Sequence, residues 1–333
     1  MMISRRKRWF IVKIVRFLMI AFVVLTIAFM LPRLMPGDPV ANLFGESVTN
    51  LDPIVRESLE SRYGLDRPLW DQYLIFLSSI FSFDFGYSIS LGLEVDYLIR
   101  SRLLWSVIML LPAIIIGAIS SLILAVRCGM HRGRYADRIL TFSAILMHTV
   151  PGFLVAMLFV RFFSFQLDWF PLGHVRSGDF SGLADVADIA YHLFLPVMVL
   201  SLLVGSSKFL VLRNSVTQIN GDYFILVTRS KGLSERRIAR GHVARNIMPI
   251  FLSMLAMNLG FIVSGALLIE IVFSIQGMGT LLYDAIRMQD YPVIQAVFII
   301  LTLMVLATNL LAELLYGLAD PRVGDSSDRG AGA

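Results

Sequence analysis

The chain encodes an all-α, polytopic membrane protein, and three features of its 333 residues lead to that conclusion. It is 57% hydrophobic and only 16% charged, with a mean hydropathy of +0.75, too apolar for a domain whose main solvent is water. Its apolar residues gather into six segments, each long enough to cross a hydrocarbon core of about 30 Å at 1.5 Å per helical residue. Its charges gather in the connections, where basic residues alternate between rich and poor loops.

The first segment, 12–34, follows a basic N-terminus, 1–11, that contains Arg5-Arg6-Lys7-Arg8. Its uncharged stretch, Phe17 to Pro32, is short, so Lys13, Arg16 and Arg33 must reach the interfaces with their long stems. Leu31 to Pro39 offers no small-residue cleavage site, and the segment reads as a retained span rather than a secretory leader. Residues 35–102 form an extracytoplasmic loop. Pro36-Gly37-Asp38-Pro39 breaks the helix, Asp52-Pro53 opens an amphipathic stretch from Ile54 to Tyr63, and Gly64 ends it. The run Trp70 to Phe85 places Trp70, Tyr73, Leu74, Leu77 and Phe81 on one side of a helix. That side predicts either an interfacial helix resting in the headgroups or a surface that meets an external partner.

The remaining spans are 103–126, 139–163, 189–210, 247–272 and 292–317, so the core covers 103–317, with a cytoplasmic tail at 318–333. Unpaired backbone polar groups are costly in lipid, which leaves helix as the only form for these runs. Pro112, Pro151, Pro196 and Pro249 predict kinks in four of them. After Arg322 the tail is rich in Gly, Ser and Asp and reads as disordered.

Charge counting gives the orientation. Residues 1–16, 127–138, 208–246 and 319–333 hold 20 basic and 6 acidic side chains, whereas 33–102, 168–188 and 276–291 hold 8 and 16. Lys and Arg favour the cytoplasmic side, so both termini are expected inside a cell membrane crossed six times. The net charge of +5 is concentrated beside apolar segments, where it serves topology and anionic lipid rather than nucleic acid.

No catalytic set emerges. The four lysines lack a G-x-x-x-x-G-K-[ST] setting, so the chain has no P-loop for ATP. The five histidines are scattered without metal-ligand spacing, and none supports a metal site. Cys128, the single cysteine, excludes an internal disulfide and falls in a short basic loop. An intramembrane serine protease would need a nucleophile with a histidine at matching depth, and His148 beside Thr149 and Pro151 gives no such signature. Arg161, Glu270 and Glu313 fall near span ends, where each could reach an interface. Glu270 is open between a structural residue and one lining a polar pathway; with Pro151 and His148 it makes the set of pathway or gating candidates.

Between the fourth and fifth spans lies the most basic connection, 211–246. From Lys208 to Arg245 the chain carries eight basic residues. Asp222 to Arg229 is helix-compatible, with Tyr223, Leu226 and Val227 on adjacent turns. Gly232 breaks it, and Ser234 can cap a second segment through Ile238, Val243 and Ile247. Such a knob is either an elbow lying on anionic lipid or a docking surface for a cytosolic partner.

The run Asp222-Tyr223-Phe224-Ile225-Leu226-Val227-Thr228-Arg229-Ser230-Lys231-Gly232-Leu233-Ser234-Glu235-Arg236-Arg237, continuing to His242, Arg245-Asn246 and Pro249, resembles the coupling loop of a known family. That family is the B-type permease subunit of dipeptide/oligopeptide (and nickel) ATP-binding cassette importers. Further blocks agree in order: Arg33 through Pro39, Tyr63-Gly64-Leu65-Asp66-Arg67-Pro68-Leu69, Asp84-Phe85-Gly86-Tyr87-Ser88, Ile269-Glu270 through Gly277-Met278-Gly279 to Asp290-Tyr291-Pro292-Val293, and Asp320-Pro321-Arg322. The resemblance covers about residues 10–322. Gln276 and Gln289 depart from it, standing where proline and arginine are usual, and the Glu-Ala-Ala signature is degenerate as Leu226-Val227-Thr228 before Gly232.

The resemblance implies the six-helix fold of binding-protein-dependent (type I) importer permeases. It implies a non-catalytic subunit that forms half of a pathway for di- or oligopeptides. Nickel, glutathione and oligosaccharides are the alternative cargoes, and an ion-coupled transporter or channel is the alternative of another class. Its partners would be a homologous second permease, two ATP-binding cassette subunits and an extracytoplasmic solute-binding protein. No cofactor is expected in this chain, since ATP and Mg would sit on the ATPase subunits. Residues 221–246 would enter a cleft of the ATPase, with Arg229, Lys231, Gly232, Ser234, Glu235 and Arg236 carrying the coupling.

Overall fold

The computed structural model describes residues 5–34, 54, 67–88, 90–178, 182–260 and 267–319. Among these the regular structure is helical, with one isolated antiparallel bridge between Tyr87 and Glu94 in a loop. In order, the helices are α1 (Arg5–Leu34), α2 (Leu69–Ser82), α3 (Val95–Met130), α4 (Tyr135–Thr149), α5 (Gly152–Phe159, prolonged by a π-helical stretch, Val160–Gln166) and α6 (Leu183–Asn220). There follow α7 (Tyr223–Ser230), α8 (Glu235–Ile238, prolonged by a π-helical stretch, Ala239–Val243), α9 (Ala244–Gly260), α10 (Leu267–Val272), α11 (Met278–Arg287) and α12 (Tyr291–Ala319). The expected features at 35–53 and 55–66 lie outside the described residues.

Four of these helices contain stretches long and apolar enough to cross a membrane: Ile11–Met30, Val95–Met130, Leu183–Asn220 and Tyr291–Leu310. The expected third span, 139–163, is a broken one. Its two halves, α4 and α5, meet at 107°, and together they make a fifth candidate crossing. The break is local chemistry. Pro151 offers no N–H, and its ring pushes Val150 into the extended region at φ −75° and ψ 132°. Pro112, Pro196 and Pro249, by contrast, stay inside continuous helices. The expected fifth span corresponds to α9 and α10, and residues 261–266 between them lie outside the described residues.

Two helices are much longer than their expected spans. α3 has 36 residues and α6 has 38, about 54–57 Å at 1.5 Å per residue, so each stands clear of a core of about 30 Å. Cys128, expected in a loop, is consequently buried in the last turn of α3. These two helices also pack against each other over the greatest length. Small residues allow it: a Cβ on Gly117 would lie 2.7 Å from the Ser201 carbonyl oxygen, and one on Gly205 would lie 3.0 Å from that of Gly117. Lipid chains are as apolar as leucine, so such close van der Waals contact, rather than escape from water, is what holds membrane helices together. The central core continues from this crossing through Met109 and Ala113 of α3, Val155 and Ala156 of α5, and Leu195 and Val199 of α6, to Ile269, Phe273 and Ile275.

α2 covers most of the expected Trp70–Phe85 run, and of the side expected to meet headgroups or a partner, Trp70, Leu74 and Phe81 are open while Tyr73 is packed inside. Gln72 and Ile80 are buried with it. The buried side rests on α1 and α12: the Tyr73 hydroxyl lies 2.9 Å from Thr26 Oγ1, the Tyr73 ring meets Phe29 edge-on at 5.1 Å, and Ile80 packs with Leu25, Ala28 and Ile299. Contact with helices the helical wheel cannot foresee selects that face.

Candidate functional site

The basic connection folds into a knob between two long rods. α6 runs without interruption to Asn220, so 211–220 is helix and the connection proper begins at Gly221. Its second half is continuous too: α8, the π-helical stretch and α9 follow one another without a gap from Glu235 to Gly260. Only α7, eight residues long, stands free as a short helix.

Gly232 makes the turn possible. It sits at φ +79°, a left-handed conformation that costs a residue with a Cβ about 1–2 kcal/mol. The Gly232 N–H donates to the Arg229 carbonyl at 2.9 Å and the Leu233 N–H to that of Thr228 at 3.4 Å. These are the two bonds of a Schellman cap, which satisfy carbonyls left over at the end of α7. Ser234 occupies the N-cap position of α8, though its hydroxyl makes no capping bond; the backbone carbonyl of Ser234 accepts from Arg237 and Ile238 instead.

The knob has a core of its own. Ile225, Ile238, Val243 and Ile247 are fully buried, together with Val216 of α6 and Met130 of α3. Burying such a side chain stabilises by about 1.5–3 kcal/mol, enough for this cluster to fix the knob to the ends of both rods. The buried position on α7 is Ile225, while Tyr223 and Leu226, expected on its apolar face, are exposed at 80% and 52%. With Phe224 they make an apolar patch on the outer side of the knob.

Charge divides in the same way. Arg229 donates to Glu235 at 2.7 and 3.1 Å and to Asn220 Oδ1 at 2.7 Å, joining α7 both to α8 and to the end of α6. Those hydrogen bonds hold the Glu235 carboxyl below the usual carboxylate range and the Arg229 guanidinium above its own. Two of the four expected coupling charges therefore bind each other. Lys231 and Arg236 are exposed, as are Arg237 and Arg240. Of the other basic residues in the stretch, Lys208 is buried in α6, and Arg213 forms a bidentate pair with Asp137 at 2.6 and 2.8 Å. Asp137 is 2% exposed and also accepts from the Gly133 N–H at 2.8 Å. This pair ties the start of α4 to α6 just behind the knob. Asp137 and Arg213 are 76 residues apart, and no spacing rule connects them in the sequence; Ile225 and Asn220 were likewise invisible as members of the site.

The other candidates lie away from the knob. Glu270 is 1% exposed. Its carboxylate accepts from Ser106 Oγ at 2.6 Å and from the Gly279 and Thr280 N–H groups at 2.9 and 3.1 Å, while the Met278 N–H donates to Ser106 Oγ at 2.8 Å. Met278 to Thr280 form the first turn of α11, whose N–H groups have no intrahelical acceptor. Glu270 and Ser106 thus cap α11 from two other helices, with a carboxylate facing the positive end of its dipole. A Cβ at Gly277 or Gly279 would collide with that carboxylate, which accounts for the Gly-Met-Gly sequence. Pro151 marks the bend between α4 and α5, and His148 is exposed one turn before it. Ser177, His192 and Asp188 do meet, yet the Ser177 N–H and hydroxyl both donate to the Asp188 carboxylate, at 2.7 and 3.1 Å, and His192 Nδ1 is bonded to the Asp188 carbonyl at 2.9 Å. That arrangement staples a loop to α6; the Ser177 hydroxyl also lies 3.3 Å from His192 Nε2, but its donor is shared with the Asp188 carboxylate.

Comparison with known proteins agrees with the architecture. Residues 113–325 match the family described as the binding-protein-dependent transport system inner membrane component. A Brucella ovis protein named as a peptide permease is 33% identical over 302 residues, covering 89% of this chain and 92% of its own. The dipeptide transport system permease protein of Lactococcus lactis is 31% identical over 92% of this chain and 95% of its own. The glutathione transport system permease protein of Escherichia coli K12 is 30% identical over 91% and 94%. With this match over most of its length and its long apolar helices, the chain belongs to the family of binding-protein-dependent transport system inner membrane components, the permease subunits of ATP-binding cassette importers.

Proposed function

We propose that the chain is the half-pathway permease of an importer of di- or oligopeptides, driven through its knob by a cytosolic ATPase. The observation that carries this reading is the knob itself: an element cored against the ends of α3 and α6, continuous with α9 and joined to α6 across the Gly221–Asp222 turn, that exposes Tyr223, Phe224 and Leu226 as well as Lys231 and Arg236. An apolar centre with a charged surround is what a protein partner buries.

In this reading the subunit is non-catalytic. ATP and Mg are bound by two partner ATPase subunits, a homologous second permease completes the pathway, and an external solute-binding protein delivers the cargo. Both termini and the knob face the cytoplasm, as the distribution of Lys and Arg favours. Closure of the ATPase dimer would displace the knob, and with it α9, which is continuous with it, and α6, which Arg229 ties to it through Asn220. Arg229 keeps α7 in step with both by joining Asn220 and Glu235. Peptide cargo is supported by the relatives, which are named for peptide, dipeptide and glutathione transport. Reconstitution of the complete system with its binding protein tests the reading: di- or oligopeptides should stimulate ATP hydrolysis. Stimulation by chelated nickel or oligosaccharides alone would replace the cargo, and absence of any associated ATPase would overturn the class.

A further inference from the structure

Between Asp71 and Asp84 the chain carries no charged side chain, and both aspartates are exposed. The uncharged run, 72–83, is about 18 Å of helix at 1.5 Å per residue, too short for a hydrocarbon core of about 30 Å, so it does not cross the membrane. An apolar helix of this length is either buried in a protein core or laid into one leaflet. α2 is not a core helix. Trp70 and Phe81 are 68% and 79% exposed, and Leu69, Leu74 and Phe83 are open as well.

Contacts of α2 fix its depth. Towards one end, the Tyr73 hydroxyl lies 2.9 Å from Thr26 Oγ1, and the Tyr73 ring meets Phe22 and Phe29 at 6.4 and 5.1 Å. Towards the other, Ile80 packs with Leu25, Ala28 and Ile299. Every one of these partners lies inside the apolar stretches Ile11–Met30 of α1 and Tyr291–Leu310 of α12. The two helices are in register there, since Gln295 Nε2 donates to the Ala28 carbonyl at 2.8 Å. Arg33, the first charged residue after the α1 stretch, marks the interface. Thr26 lies about 10 Å along the helix from it, and Ile299 about 12 Å from the start of α12 at Tyr291. Arg33 itself bends down to Gln72 Oε1 at 3.1 Å and the Phe29 carbonyl at 2.8 Å. Ser79 and Ser82 donate to carbonyls of α2 at 2.9 and 2.8 Å, so neither hydroxyl needs water as an acceptor.

We propose that α2 lies within the outer leaflet, below the headgroups, with Leu74 and Phe81 against phospholipid acyl chains and Asp71 and Asp84 at the level of water. A solute-binding protein working in water does not reach a face at that depth. The second permease is also a poor occupant, because α2 rests on the rim: only 17% of the apolar stretch of α1 is buried, against 56% for α6. The exposed face of α2 continues that of α1, where Leu18, Phe22 and Val23 are open. α2 is therefore a lipid-embedded clamp that holds α1 against α12, and the binding protein docks on other outer elements. The depth is independent of the cargo; only the choice of leaflet rests on the proposed orientation.

The test uses the assembled permease–ATPase complex in phospholipid nanodiscs, on a Cys128→Ser background with partner cysteines replaced. Nitroxide labels are placed at Leu74→Cys, Phe81→Cys, Asp71→Cys and Asp84→Cys. Their relaxation is read against oxygen, which concentrates in hydrocarbon, and chromium oxalate, which stays in water. Oxygen should dominate at 74 and 81, and the order should reverse at 71 and 84; adding the solute-binding protein should leave the spectra at 74 and 81 unchanged. All four side chains are exposed, so the labels displace little packing, and an unchanged unfolding temperature checks this. Dominance of chromium oxalate at 74 and 81 would overturn the proposal in favour of a water-facing surface. Shielding of both positions from both reagents would overturn it in favour of cover by protein, and immobilisation by the binding protein in favour of docking.

Discussion

Position 232 shows how one dihedral sets the geometry of the knob. Gly232 at φ +79° lets α7 end and the chain turn towards α8, and Gly232→Ala should cost about 1–2 kcal/mol of local stability, measurable as faster proteolysis of the knob. Proline there is incompatible on two counts, because its φ is fixed near −65° and it lacks the N–H that bonds Arg229. Glu270 is the comparable residue at the other end. Glu270→Gln would remove the negative charge that faces the N-terminal N–H groups of α11 and leave weaker, neutral hydrogen bonds, a loss of about 1–2 kcal/mol, and should lower the unfolding temperature in detergent. Ser106→Ala should do so through the same cap. Glu235 gives a pH signature. Its carboxyl is held below the usual range by Arg229, so its contribution is complete above the unfolded carboxylate value of about 4.3 and disappears as pH falls through the lower folded value. Acid titration of unfolding temperature should therefore bring wild type and Glu235→Gln together at low pH.

Helices were legible to the extent that hydropathy decides them. The five apolar segments that are described throughout are helical, 139–163 with a break at Val150–Pro151, since lipid leaves the backbone no alternative. Their ends were less legible, because polar residues such as Arg213 to Asn220 stop the hydropathy signal without stopping the helix. Pro151 and Pro196 show why proline marks candidate kinks without saying which one breaks the helix: the same residue type interrupts one span and stays inside another. Gly232 could be found from the sequence as a breaker, but the division of the basic residues into paired and displayed ones could not. Arg213 finds Asp137 and Glu270 finds Ser106 only through tertiary packing. At this scale the α3–α6 crossing is the most sensitive feature. Gly117→Leu or Gly205→Leu would force the two backbones apart, and overpacking of about 1–3 kcal/mol or more should reduce the folded yield in membranes, whereas Ile116→Leu on the exposed side of α3 should not.

The whole molecule is a sided object, with displayed Lys231 and Arg236 on the knob at one end and the start of α3, packed on α11, at the other. In a Cys128→Ser background, a cysteine placed at Arg236 should react with a membrane-impermeant maleimide only from the cytoplasmic side, and one at Tyr283 only from outside. Reaction of both from the same side would reverse or dissolve the proposed topology. Between the two ends run α3 and α6, and in the proposed cycle α6 and α9 move with the knob. The most direct measurement is the ratio of peptide imported to ATP hydrolysed in proteoliposomes containing the complete complex, compared for wild type, Gly232→Pro and the Lys231→Glu/Arg236→Glu double variant. The account predicts that both variants assemble and hydrolyse ATP while import falls by about tenfold or more; import at the wild-type ratio in both would contradict the coupling role of the knob.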